Sequence, residues 1–142
     1  MDTELIQMPF SVLDRRPVAS GMLAQLKENG TEVHARSVFL QGLLLMEPSE
    51  LGDFFAPLQP ALAELHCNWA RAGLTPLAGC VRAVLRQSGI DALIVGVNRR
   101  WELEDIVSAI EDAGNSEFDD TFAADIDPVY LDPRRWPPRT AP

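Results

Sequence analysis

The chain has 142 residues, 46% of them apolar, and a formal net charge of −9. That is one domain's worth of chain, apolar enough to bury a core. The acidic balance excludes a nucleic-acid backbone as partner, because such binders carry a basic footprint, and the apolar runs are too short to span a membrane.

The opening Met1-Asp2-Thr3-Glu4 lacks the basic-then-apolar pattern of a secretion signal, so the expected location is cytoplasmic. Cys67 and Cys80 have neither metal-ligand nor Cys-x-x-Cys spacing. Both read as small buried thiols on helices, and no metal site is expected.

Residues 4 to 9 read as a short strand ended by Pro9. A helix is expected at 18 to 29, with Met22, Leu23 and Leu26 as its apolar stripe and Gly30 as its stop. A strand at 32 to 38 follows at once, and strand–helix–strand demands a parallel pair with a crossover. It ends in Arg36-Ser37 and opens into a loop containing Gly42, the kind of strand exit where parallel α/β folds place ligands. Pro48-Ser49-Glu50 starts a short helical piece, and a longer helix runs over 58 to 72 with Leu58, Leu62, Leu65 and Trp69 on one face. Thr75-Pro76 opens another, with threonine as cap and proline in the first turn; its predicted buried face is Leu77, Val81, Val84 and Leu85. Leu93-Ile94-Val95 reads as a strand covered on both faces. Asn98 is the expected cap of a helix over 101 to 113, with Leu103, Ile106, Val107 and Ile110 as one stripe. Beyond Gly114 the chain turns acidic and then proline-rich. It reads either as an extended tail pinned by Tyr130 and Trp136 over the domain or as plain disorder.

The elements make an α/β chain with about three parallel strands, covering helices and an extended C-terminal tail. Three blocks carry a resemblance. Ala35-Arg36-Ser37-Val38-Phe39-Leu40-Gln41-Gly42-Leu43-Leu44 is similar to the seventh-strand loop of the aldo/keto reductase superfamily, in its bacterial branch. Ile6-Gln7-Met8-Pro9-Phe10-Ser11 with Asp14-Arg15-Arg16 resembles the sixth strand and its exit. Leu93-Ile94-Val95-Gly96-Val97-Asn98, then Glu102-Leu103-Glu104, resembles the eighth strand and the start of its helix. The resemblance implies a partial (β/α)8 TIM barrel, the last three of eight strand–helix units. Residues 1–114 read as that C-terminal half-barrel and 115–142 as an acidic, proline-rich tail.

It also implies a nicotinamide dinucleotide, NADP or NAD, as cofactor. Gln7 stands where the family bonds the nicotinamide carboxamide. Arg36 stands where an aromatic ring often stacks on the nicotinamide; a guanidinium plane can stack there or pair with phosphate. Its bland reading is a salt-bridging arginine, with Glu32 or Asp14 as partner. Ser37, Phe39, Gln41 and Gly42 form the loop that holds the pyrophosphate, although Val38 and Leu40 replace the usual proline and first glycine. Gly96, Val97 and Asn98 form the turn used for the adenosine 2′-phosphate, a helix N-terminus that favours anions. Glu102 stands where a basic residue or glutamine is common, so it repels a 2′-phosphate or accepts from a ribose hydroxyl, while Arg99 and Arg100 pull the other way. Asp105 matches an acidic position near the adenine.

The family's reaction passes a hydride between nicotinamide and a carbonyl, with a tyrosine as proton donor tuned by aspartate, lysine and histidine. None of these four has a counterpart here: the single tyrosine is Tyr130, in the tail, and the single lysine is Lys27, on a helix. His34 and His66 read as structural, and no catalytic residue is assigned. Three readings stand. The chain is the C-terminal part of an aldo/keto reductase-like oxidoreductase, acting on a small carbonyl only if the N-terminal half is supplied. Or it is a non-catalytic nucleotide-binding module, completed by a complementing half-barrel or by a second copy. Or it is a different small α/β enzyme of unrecognised chemistry, a reading that turnover abolished by changing Asp14 or His34 would favour.

Overall fold

The computed structural model describes residues 3–114 and 125–138. Strand β1 is Leu5–Pro9, β2 is Glu32–Arg36 and β3 is Ala92–Leu93. They form one parallel sheet in the order β1-β2-β3, as the strand–helix alternation requires. Backbone bonds outside the strands extend the pairing. Glu32 N–H donates to Glu4 O at 2.8 Å, and Ile94 N–H to Ala35 O at 2.7 Å. Asp91 Oδ2 accepts from Val33 N–H at 2.7 Å and from Lys27 Nζ at 2.6 Å, tying β2 to the turn before β3.

Alternation along the strands gives the sheet two unlike faces. Met8 and Val33 are buried and Ile6 half-buried beneath helix α2 (Met22–Glu28) and its Leu23 and Leu26, while Ala35 is buried in the main core. Leu5, Gln7, Glu32 and Arg36 point the other way and are exposed, with Gln7 in register with His34 and Pro9 with Arg36. The expectation of a third strand at 93–95, covered on both faces, is therefore corrected. β3 is two residues long, Ala92 and Leu93 are only half-buried, and Ile94 is exposed, because among the described residues no layer roofs the second face.

Four further expectations change. The helix over 18–29 is two helices, α1 (Arg16–Ala19) and α2, parted at Gly21, whose φ of 75° no helix accommodates. Leu23 carries the burial of α2 while Met22 faces solvent. The second strand stops at Arg36, not 38, because Ser37 takes φ 59° and turns Val38 into the core. Cys67 is exposed on its helix, whereas Cys80 is buried as expected, and burial pushes the Cys80 thiol far up.

Helix α3 (Gln59–Arg71) buries Leu62, Leu65 and Trp69, as its spacing predicts, with Leu58 buried at its cap. Helix α4 (Pro76–Leu85) begins at Thr75, whose Oγ1 accepts from Ala78 N–H at 3.1 Å. It is buried from Ala78 through Val84, so the predicted one-sided face is too narrow. Val81 and Val84 are inside, but Leu77 is half-buried and Leu85 exposed. Helix α5 (Arg100–Gly114) packs on α4 through Ile106, Ala109 and Ala113. The buried Arg82 guanidinium donates to Ala113 O at 2.6 Å, and the small alanines allow that approach. This corrects the predicted stripe, since Leu103, Val107 and Ile110 are turned outward.

Residues 125–138 form two 3-10 turns, Pro128–Leu131 and Pro133–Arg135, laid on the domain. Leu131 is buried, Tyr130 meets the Phe54 ring edge-on at 5.5 Å, and Trp136 meets Phe55 at 4.8 Å. Both expected pins hold this segment; 115–124 and 139–142 lie outside the described residues.

Two outcomes follow from this packing. A Cβ added at Gly79 would stand 2.3 Å from the buried Trp69 ring, so Gly79→Ala should cost about 1–3 kcal/mol of unfolding free energy in urea titration, although helix propensity alone favours alanine. The second concerns the tail. The Arg134 guanidinium, bonded to Asp132, holds that carboxyl at about 2, below its usual 3.8. A depressed carboxylate stabilises the folded state above its unfolded value, and that contribution is lost as pH falls through the folded value. Trp136 fluorescence should therefore report loosening of the tail as pH falls from about 4 toward 2, and Asp132→Asn should remove that pH dependence.

Candidate functional site

The three strand exits converge. Phe10 N–H donates to Arg36 O at 3.1 Å, holding the β1 exit against β2. Beyond β2 the chain enters the 3-10 segment Leu40–Leu45, kinked within. Ser37 (φ 59°), Leu40 (47°), Gln41 (57°) and Gly42 (85°) all take left-handed backbone within six residues. Only glycine does so without strain, and non-glycine residues held there mark places that packing over-determines. The packing is plain: Val38, Leu40, Leu43 and Leu44 are buried and anchor the loop. His66 adds a bond from its ring Nε2 to Leu44 O at 2.8 Å and lies stacked on Trp69, a structural role, as expected. Thus the loop's apolar half is locked into the core and its polar half faces outward.

That outward half borders a cavity of about 830 Å³, within the size range of small-molecule sites. Its first wall is Arg36, Ser37, Phe39, Gln41 and Gly42; its second is Gly96, Val97 and Asn98; its third, on α5, is Glu102 and Asp105. Ten of the eleven site residues expected from the sequence therefore border one space. The eleventh, Gln7, lies exposed on the open face of β1 and does not line it. At Gly42 an added Cβ would meet nothing within 4 Å, so glycine is required there by its φ of 85° and not by crowding.

Electrostatically the cavity is uneven. Among the described residues Arg36 is the single basic one lining it, and the two partners considered for it are taken: Glu32 bonds His34 at 2.6 Å, and Asp14 is clasped by Arg16 through two 2.7 Å bonds. Arg36 instead reaches Ser37 Oγ at 3.4 Å. On α5, the lining residues Glu102 and Asp105 are both acidic. Glu102 rather than Asn98 caps α5: its Oε2 accepts from the backbone N–H of Asn98 at 2.7 Å and of Arg99 at 3.1 Å. A glutamate in the third helical position bonding back to the cap N–H is half of a capping box, and that spacing was readable in the sequence. Trp101 also lines the cavity, 54% exposed, as do Leu77 and Ile94. These apolar neighbours were missed; the available signal was an aromatic side chain beside a strand-to-helix turn. Among the described residues no group of His, Cys, Asp and Glu could hold a metal ion, and no helix is long and apolar enough to cross a membrane.

No protein-family model and no curated protein sequence matches the chain. Solved structures do. The aldo-keto reductase AKR11C1 from Bacillus halodurans, in its holo form, superposes with a TM-score of 0.60 at 21% identity, over 75% of this chain and 36% of that one. The fold is similar to part of the barrel of that aldo-keto reductase. The glycerol dehydrogenase AKR11B4 from Gluconobacter oxydans gives 0.54 at 19% identity, over 87% of this chain and 47% of that one. The thermostable aldo-keto reductase Tm1743, solved with the inhibitor epalrestat, gives 0.51 at 20% identity, over 75% and 34%. The chain thus spans between a third and a half of each barrel that it matches, in agreement with the partial (β/α)8 architecture expected from its three sequence blocks.

The strained loop yields a test. Gln41→Gly should raise stability by up to about 1 kcal/mol in urea titration, because glycine accepts φ 57° without the left-handed penalty.

Proposed function

We propose that the cavity holds a nicotinamide dinucleotide and that the chain supplies the cofactor-binding part of an NAD(P)-dependent oxidoreductase of aldo-keto reductase type. The observation carrying this reading is the convergence of Arg36, the Ser37–Gly42 loop, the Gly96–Asn98 turn and the α5 acids on one cavity at the carboxyl ends of parallel strands. The residues suit the ligand. Arg36 offers a planar cation to a phosphate or a ring, and Ser37 offers a hydroxyl. Gly42 lets the loop backbone turn where other residues would be strained, and Trp101 gives an apolar wall to a flat base. Gln7 lies on the same sheet face as Arg36, displaced along it, where the amide would meet the far end of an extended dinucleotide.

When bound, the nicotinamide supplies the hydride for interconversion of a carbonyl and an alcohol. A proton must move as well, and the cavity lining contains no tyrosine or lysine. Tyr130 is packed against Phe54, and Lys27 is bonded to Asp91 and to Thr31 O. Carbonyl reduction therefore requires an acid brought by further strand–helix units. Exposed apolar side chains support such a partner: Leu5 on β1, Val18 and Met22 on α1 and α2, Ile94 just past β3, and Leu85, Leu103, Val107 and Ile110 on α4 and α5. Among the described residues β1 and β3 are the two edges of the sheet, along which a barrel continues. Without a partner, the same chain acts as a non-catalytic nucleotide-binding half-barrel.

Thermal melts with NADH and with NADPH test the reading. A hundredfold excess over Kd should raise the transition by roughly 8 °C with at least one of them. Tryptophan emission should be quenched, and Trp101→Phe should remove the quench, because Trp69 is buried in the core and Trp136 sits in the tail. Arg36→Ala should weaken binding by about tenfold. No shift with millimolar amounts of either nucleotide would overturn the proposal.

A further inference from the structure

We infer that the open face of the sheet is a self-complementary docking surface, on which a second copy of this chain lies turned end for end. The inference is independent of the dinucleotide reading.

Alternation turns Glu32, His34 and Arg36 of β2 away from the helices, and Leu5, Gln7 and Pro9 of β1 the same way. The parallel register sets these as two rows of three, with Leu5 beside Glu32, Gln7 beside His34 and Pro9 beside Arg36. Each row has matching or complementary ends. On β2 a carboxylate stands at one end and a guanidinium at the other; on β1 both ends are apolar. Leu5, Gln7, Glu32 and Arg36 are exposed, so among the described residues nothing covers the face.

Two copies stacked on this face can be related by a two-fold axis along the strands or across them. An axis along the strands sets Glu32 on Glu32 and Arg36 on Arg36, which repels. An axis across the strands, through the Gln7 and His34 positions, reverses the strand direction. Arg36 of each copy then meets Glu32 of the other, Leu5 meets Pro9, and the two Gln7 amides meet donor to acceptor. The His34 rings meet at the axis, each held by its own Glu32. Sheets packed face to face stand about 10 Å apart, a gap that a glutamate and an arginine reaching from opposite sides can bridge. Both charges are available for this. The Glu32 side chain is 55% exposed and bonds His34 through Oε1, so Oε2 can accept from a guanidinium. Arg36 has no carboxylate partner among the described residues and reaches Ser37 Oγ at 3.4 Å. A purely apolar cover would take both charges out of water and pair neither, which is costly; a reversed copy pairs both.

The patch spans about 14 Å across three strands and about 16 Å along five residues, well below the roughly 800 Å² that each partner gives to a standard interface. The pairing is therefore weak and reversible, with Kd in the micromolar range or above. The net charge of −9 on each copy opposes it until salt screens the repulsion. Arg36 also lines the cavity, so pairing and an anionic ligand draw on the same guanidinium.

Sedimentation velocity of the purified, nucleotide-free chain, from micromolar to millimolar concentration in about 0.15 M salt, tests this. The sedimentation coefficient should rise with concentration toward that of a dimer. Glu32→Arg alone and Arg36→Glu alone should each abolish the rise, because each sets like charges face to face. An equimolar mixture of the two variants should restore it, since one copy then presents two cations and the other two carboxylates. Circular dichroism melts check that each variant is folded. Should either fail to fold, Glu32→Gln and Arg36→Gln take their place, each expected to weaken the dimer by about tenfold. A chain that stays monomeric over the whole range, a dimer that the single variants leave intact, or a mixture of folded variants that stays monomeric would overturn the inference.

Discussion

Parallel pairing on both sides of β2 is the constraint on which the rest depends. A strand with parallel neighbours must be reached and left by crossovers, so all three strand exits fall at one end of the sheet. Alternation along β2 then divides labour. Val33 and Ala35 hold the helices, while Glu32, His34 and Arg36 point to the open face. Arg36 sits where both consequences meet, at the strand's end and on its open side. The loop that follows keeps this division by burying Leu40, Leu43 and Leu44 while presenting Ser37, Gln41 and Gly42. Its left-handed run is how one short segment does both.

Much of this was legible because it is local. The Gly30 stop, the Thr75 cap and the spacing of Leu62, Leu65 and Trp69 depend on near neighbours in the chain, and each stands where the sequence placed it. The three blocks that resemble an aldo-keto reductase were legible for another reason: a strand exit and its loop are set by a few adjacent residues. What escaped depends on which neighbours are present. Leu103, Val107 and Ile110 have a sound helical period, and the inference that they face the core was reasonable. The contact is instead made by Ala109 and Ala113, because Arg82 draws α4 and α5 together at a carbonyl where only small side chains fit. Leu93-Ile94-Val95 reads as a doubly covered strand for the same reason. Its composition suits a layer that the described residues do not supply.

The cap on α5 lies between these cases. Glutamate at the third helical position is visible in the sequence, but Asn98 competes for the role, and only coordinates show one carboxylate oxygen serving two N–H groups. That detail joins helix stability to the character of the cavity wall. The residue that closes the helix also decides the charge a ligand would meet there.

The bare edges have a consequence for how such a chain survives after synthesis. Among the described residues β1 and β3 each leave a row of backbone groups unpaired within the sheet, with the exposed Leu5 on one and Ile94 beside the other, which is the geometry that templates uncontrolled strand addition. Two features oppose it. Pro9 has no N–H and closes the outer strand at its exit end. The excess of nine negative charges makes copies repel one another at a distance. The solubility of the chain is therefore a balance between sticky borders and an acidic coat, and ionic strength sets how far that coat reaches.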